Sequence, residues 1–234
     1  MARFTASSPH QRLLLAAAVG ALTVLISACT AGEGTTAATQ VPPSSAATSQ
    51  SPLPTLAATA TTPAALSTEA QMDLDQQLVL AAKANDLPLV DRLIQGGGNV
   101  NAKDSMQDSA FLYAGAEGFN EILALTLAHG ADVSSTNRYG GTALIPASEH
   151  GHGETVRILI KAGVPVNHVN NLGWTAMQEA VLLNNGGPKQ QDVVRQLLDA
   201  GADPDLRDPE GCTALENAQR LGFTEIVEII SAHS

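Results

Sequence analysis

Residues 149–154 read Glu-His-Gly-His-Gly-Glu, two imidazoles and two carboxylates within six positions. His150 and His152 have the His-x-His spacing that chelates zinc, and Glu149 or Glu154 can add a third ligand or activate a water. That chemistry requires the backbone to aim all of these side chains at one point. Whether it does depends on the elements that carry them.

Residues 1–28 contain no acidic residue, carry Arg3 and Arg12, and run apolar from Leu13 to Ile26. The run is short for a span, which needs roughly twenty residues, and matches a secretory signal. It ends in Ile26-Ser27-Ala28-Cys29, which resembles the lipobox of bacterial lipoproteins. That resemblance implies a diacylglyceryl group on Cys29, cleavage before it and acylation of the new amino group. Two or more acyl chains make a stable anchor. Cleavage near Ala28 as an ordinary signal peptide, or retention as an uncleaved anchor, are the alternatives.

Only two cysteines occur, so a lipidated Cys29 leaves Cys212 without an intramolecular partner, and packing must hold the fold together. Residues 30–66 are almost entirely Ala, Thr, Ser, Pro, Gln and Gly, with Glu33 the one charge. Too few large apolar groups are present to offset ordering entropy, so residues 29–66 are expected to be a tether, with ends roughly 35 Å apart if flexible. The folded part is then 67–234, where 10 Lys and Arg stand against 22 Asp and Glu, a net −12. Nucleic acids and anionic lipid surfaces reward basic patches, so neither is an expected partner.

Residues 67–234 are self-similar. Leu78, Phe111, Leu144, Met177 and Leu215 each precede an alanine by three positions, at steps of 33, 33, 33 and 38. Gly97, Gly130, Gly163 and Gly201 keep the same steps, so a 33-residue unit occurs five times with five extra residues in the fourth. Each unit reads as a short helix, a glycine turn, a second apolar helix and a polar hairpin.

In this register the chain resembles the ankyrin repeat family over residues 75–234. Its G-x-T-P-L-H opening corresponds to the stretches beginning Gly140-Gly141-Thr142, Gly173-Trp174-Thr175 and Gly211-Cys212-Thr213, and its G-A-D exit to residues 130–132 and 201–203. The resemblance implies an all-α solenoid of about five helix-turn-helix repeats with short hairpin loops. The family's proline is replaced by Ala110, Ala143, Ala176 and Ala214, and its histidine by Leu112, Ile145, Gln178 and Glu216. Ser109, Thr142, Thr175 and Thr213 remain to cap the helix starts, but loss of the threonine-to-imidazole bond predicts less rigid units.

Register also bears on the opening motif. Gly151 aligns with Gly118 and Gly222, and His152 with Phe119 and Phe223, so the motif is expected to be an inter-helix turn in which His152 packs or caps. The acidic run 199–211 lacks calcium-loop spacing, since Arg207 falls at the fifth position from Asp203 and Ala214 where the closing glutamate belongs. No Gly-x-Ser-x-Gly, Cys-x-x-Cys or phosphate-loop motif occurs. Neither catalysis nor a metal or other cofactor is expected.

Function is expected on the concave surface that such a stack forms. Projecting the register gives Met106, Asp108, Arg138, Tyr139, Leu172, Trp174, Glu210 and Cys212 at hairpin tips, and Tyr113, Glu149, His150, Leu182 and Arg220 on first helices. Tyr139 and Trp174 suit interface anchors, unless Trp174 lies flat on its own hairpin. The insert, residues 184–191, is expected to bulge into solvent between the two helices of the fourth unit, Gly186, Gly187 and Pro188 being poor helix extenders.

The expected protein is a monomer held by a lipid anchor at the bacterial cell membrane or outer membrane, facing the periplasm or exterior, and binding another protein. One alternative is a lipoprotein inhibitor, or immunity protein, that neutralises a delivered toxic enzyme. Another is a small-ligand or metal-binding sensor, or an enzyme, working in the groove.

Overall fold

The computed structural model describes residues 66–233. Cys29, the expected signal segment and the tether up to residue 65 lie outside the described residues.

Each unit folds as two helices joined by a short turn. In chain order these are α1 (Thr68–Lys83) and α2 (Leu87–Gln95), α3 (Ala110–Glu117) and α4 (Asn120–Ala128), α5 (Leu144–Glu149) and α6 (Gly153–Lys161), α7 (Ala176–Leu182) and α8 (Pro188–Asp199), and α9 (Ala214–Leu221) and α10 (Thr224–Ser231). The only β pairing among the described residues is an isolated antiparallel bridge between Arg207 and Thr213. First helices stack on first helices, from α1 through α3, α5 and α7 to α9, and second helices do likewise. The result is the expected all-α solenoid of five units.

The 33-residue landmarks are the core of the stack. Leu78, Phe111 and Leu144 are fully buried, Met177 nearly so, and each is followed three residues later by an equally buried alanine, Ala81, Ala114, Ala147 and Ala180. A large side chain and a methyl three positions apart lie on one helical face, the large group filling the layer while the methyl lets the neighbouring helix approach. Leu215 is only half-buried: among the described residues no first helix follows α9 in the stack, whereas α3 follows α1 and Leu78 is fully buried.

Helix starts follow the expected caps except in the third unit. Ser109 Oγ accepts from Leu112 N, Thr175 Oγ1 from Gln178 N and Thr213 Oγ1 from Glu216 N, each at 3.2 Å. Thr142 does not cap: its Oγ1 is buried without a partner. The cause is Pro146. In the other units the cap residue's carbonyl accepts from the N–H four residues on, at Tyr113, Glu179 and Asn217. Pro146 has no N–H, so the Thr142 carbonyl takes Ile145 N at 3.2 Å instead, and the first turn tightens away from the hydroxyl.

Loss of the family imidazole also has a compensation that the repeat pattern hides. Gln178 Oε1 accepts from Thr175 N at 2.9 Å and Glu216 Oε2 from Thr213 N at 2.8 Å, completing capping boxes in the fourth and fifth units. Those two units are therefore tied at the point where reduced rigidity was expected.

The insert is not a bulge. Three of its five extra residues lengthen α8, which has 12 residues where α2, α4 and α6 have 9, and the inter-helix turn gains only two. Pro188 sits in the first turn of α8, where its missing N–H costs nothing and its fixed φ fits the helix. Gly186 is buried at φ +68°, and a Cβ there would lie 2.5 Å from the Phe223 ring. Asn184 and Gln190 bond to one another at 3.0 Å, and Asn184 Nδ2 donates to the Glu149 carbonyl at 2.7 Å, so the segment packs onto its neighbours.

Candidate functional site

The tips are built on a landmark the sequence reading passed over: Asp104, Asn137, Asn170 and Asp208, at the repeat's own steps of 33, 33 and 38. Each residue's N–H donates to the carbonyl four positions on, at Asp108, Gly141, Trp174 and Cys212, closing a short loop. Each side-chain Oδ1 also accepts backbone N–H inside that loop, two on Asp104, Asn137 and Asn170, for example Leu172 N and Trp174 N on Asn170 at 3.0 Å, and one, Cys212 N, on Asp208. The short Asp and Asn side chains satisfy donors that a two-strand ladder would otherwise take.

Between these tips and α3, α5 and α7 lies a cavity of about 350 Å3. Eight of the expected binding residues line it: Asp108, Tyr113, Arg138, Tyr139, Glu149, His150, Leu172 and Trp174. Met106 is half exposed at the second unit's tip, outside the wall, and Glu210 and Arg220 are exposed in the fifth unit, Arg220 donating to Asn217 Oδ1 at 2.7 Å. Leu182 closes α7 half-buried, and the side chain at the cavity is its neighbour Leu183, 46% exposed. Leu183 holds the repeat position of Glu117 and His150, which is exposed in each of these units, and Leu182 the half-buried position of Ala116 and Glu149. Cys212 is a half-buried free thiol.

The sequence reading also missed the carboxylates Glu117 and Glu179. Glu179 occupies the helix position filled elsewhere by Tyr113, Pro146 and Asn217, and aligning those four types marks it as an acid where its equivalents are uncharged. It is only 6% exposed, and its Oε1 accepts from Asn170 Nδ2 at 2.7 Å. Burial, and then the charge of Glu149, push its carboxyl up to about 7 against the opposing bond from Asn170. At the other end of the wall, Asp108 takes Lys83 Nζ at 2.8 Å and Arg138 Nη1 at 3.5 Å, and the Arg138 guanidinium lies 4.7 Å from the Tyr139 ring centroid.

The Glu-His-Gly-His-Gly-Glu residues diverge. His150 Nδ1 lies 2.8 Å from the Ala116 carbonyl, and Glu154 pairs with Arg157. His152 packs beneath Gly118, where a Cβ would come within 3.1 Å of its ring, and meets the His150 ring edge-on with centroids 5.5 Å apart. Burial, and then His150, hold its pKa below the usual imidazole range. Glu149 alone of the two glutamates lines the cavity. Among the described residues no three His, Cys, Asp or Glu side chains converge as metal ligands.

The sequence model of the family described as Ankyrin repeats (3 copies) matches residues 78–170, 112–208 and 156–234. The chain is 50% identical over 54 residues to the ankyrin repeat protein YahD of Escherichia coli (strain K12), a match covering 23% of this chain and 27% of YahD. Among solved structures, an ankyrin repeat domain from Acinetobacter baumannii AYE is similar with 56% identity and a TM-score of 0.66, and the ankyrin repeat protein EF0377 with 42% and 0.65. Each alignment covers 67% of this chain and 80% of the other. Five stacked helix pairs at a 33-residue step, matched by the family's own pattern through residues 78–234, establish that the chain belongs to the ankyrin repeat family.

Proposed function

We propose that this ankyrin repeat protein binds another protein through its cavity face while held outside the cytoplasm by lipid on Cys29, at the bacterial cell membrane or outer membrane. The observation that carries the binding reading is the rim of the cavity. Tyr139 and Leu172, each 51% exposed, and Leu183 stand around half-buried Trp174, an arrangement of apolar and aromatic groups that gains from being covered. The anchor rests on the apolar run from Leu13 to Ile26 and the Ile26-Ser27-Ala28-Cys29 pattern.

Pull-down from detergent-solubilised membranes, followed by mass spectrometry, tests the binding reading when the parent is compared with a Tyr139→Ala/Leu172→Ala variant. Both side chains are more than half exposed, so the variant should melt near the parent while losing the partner by about 2 kcal/mol or more. A partner retained by the variant refutes the cavity face. Cys29→Ser should abolish labelling with an alkyne fatty acid and release the protein from membranes. A serine variant that stays membrane-bound identifies an uncleaved anchor instead.

A further inference from the structure

The walls of the cavity carry charge of one sign that the fold does not neutralise. Of its four carboxylates, Asp108 is satisfied by Lys83 and Arg138, whereas Glu117, Glu149 and Glu179 have no ion pair among the described residues. Arg138 is the one Lys or Arg in the wall, and it is already committed to Asp108 and to the Tyr139 ring. Glu179 is the most demanding of the three. It is nine-tenths buried and lines the cavity, and the one side-chain donor to its carboxylate among the described residues is Asn170 Nδ2 on Oε1, which leaves Oε2 without one. A buried carboxylate with a free oxygen is costly in an isolated chain, and a cation delivered from outside would offset that cost.

We infer that the cavity receives an arginine side chain of the partner protein, its guanidinium paired with Glu179 and Glu149 beside the indole of Trp174. The inference rests on the protein-binding reading and specifies the partner's chemistry. A planar guanidinium can donate to two carboxylates at once and stack on an indole, which a compact, strongly hydrated ammonium does less well. Arg138 against Asp108 and Tyr139 is the same combination, a carboxylate plus an aromatic ring, built within the chain. The exposed rim side chains Tyr139, Leu172 and Leu183 give the residues flanking that arginine an apolar seat, which a free small cation would not use. The upward shift of the Glu179 carboxyl to about 7 fits a site whose charge awaits a counterion.

Trp174 is the only tryptophan, so its emission reports on this cavity. The full-length protein would be titrated with Ac-Gly-Ser-Arg-Ser-Gly-amide and with the same peptide carrying citrulline, the neutral isostere of arginine. The arginine peptide should bind saturably and about fivefold or more tightly than the citrulline peptide. Glu179→Gln with Glu149→Gln should remove that preference, while Glu121→Gln on outer helix α4 should keep it. Equal binding of the two peptides, no saturable response, or a preference that survives the double variant overturns the assignment. Agmatine binding more tightly than the arginine peptide also overturns it, in favour of a small-ligand site. A partner lost on Tyr139→Ala/Leu172→Ala but held by Glu179→Gln/Glu149→Gln keeps the protein-binding reading and removes the arginine alone.

Discussion

Asn170 and Glu179 form the same cross-tie as Asp208 and Asn217, with donor and acceptor exchanged. In both pairs a tip residue reaches a first-helix residue nine positions on at 2.7 Å, an amide giving to a carboxylate in the fourth unit and a carboxylate receiving from an amide in the fifth. The geometry is common to the two units. The charge is not: Asp208 sits at the tip and Glu179 on the buried helix face that lines the cavity.

Because the Glu179 carboxyl titrates at about 7 in the fold against an ordinary 4.5, the folded state holds its proton where the unfolded chain has lost it. Stability from this group therefore falls as pH rises from about 4.5 through about 7, and the penalty is complete above that. Glu179→Gln keeps an acceptor for Asn170 and removes the charge. It should raise the melting temperature at pH 8, by no more than about 3 kcal/mol of stability, and leave it nearly unchanged at pH 4. Equal melting shifts at both pH values would show that the carboxylate pays no penalty in the fold.

Thr142 and Thr213 hold equivalent positions with opposite bonding. Thr213→Val removes a working cap and should cost about 1 kcal/mol. Thr142→Val replaces a buried hydroxyl that has no partner and should be neutral or stabilising. Pro146→Ala restores the missing N–H, so in that background Thr142→Val should become costly. Denaturant midpoints of the two single variants and the double variant close the cycle.

The repeat step was legible because a solenoid repeats its core contacts at fixed intervals, and Leu78 through Met177 with their alanines are those contacts. Eight of the residues projected onto the binding face line the cavity because tip and first-helix positions follow from the step alone. What the step hid were departures between units. Pro146 disabled a cap through a missing N–H four residues away, Gln178 and Glu216 made boxes that the expected imidazole does not make, and Glu179 looked like an ordinary helix glutamate. Its burial depends on the stacking of α7 between its neighbours, which no single unit encodes.

His152 lies in a turn where the second and fifth units carry Phe119 and Phe223, and its pKa is held down chiefly by burial. A base whose folded pKa lies below its unfolded one gives stability that is present above the unfolded value near 6.5 and is lost as pH falls towards the folded value. His152→Phe should therefore match the parent at pH 8 and melt higher than it at pH 5. Calorimetry on the parent should show no zinc binding tighter than micromolar. Tight stoichiometric zinc that vanishes on His150→Ala or His152→Ala would replace the packing role with a metal role.

The inserted segment 184–191 should behave as structure rather than as a loop. Gly186 holds φ +68°, a conformation that disfavours side chains, and its Cα hydrogens face the Phe223 ring. Gly186→Ala adds both backbone strain and a 2.5 Å collision, and should cost about 1–3 kcal/mol. Phe223→Leu gives the methyl room, so it should recover part of that loss in the double variant, whereas the strain at φ would remain. Deleting residues 185–189 removes the start of α8 together with Gly186 and should lower the melting temperature, because Gln190 loses its footing beside Asn184 and the Glu149 carbonyl loses its tie to the turn. Thermal melts of the three variants decide the point. If the deletion melts with the parent, the extra helical turn contributes nothing to the stack, and the segment is the tolerated surface insertion that its glycines and proline suggest.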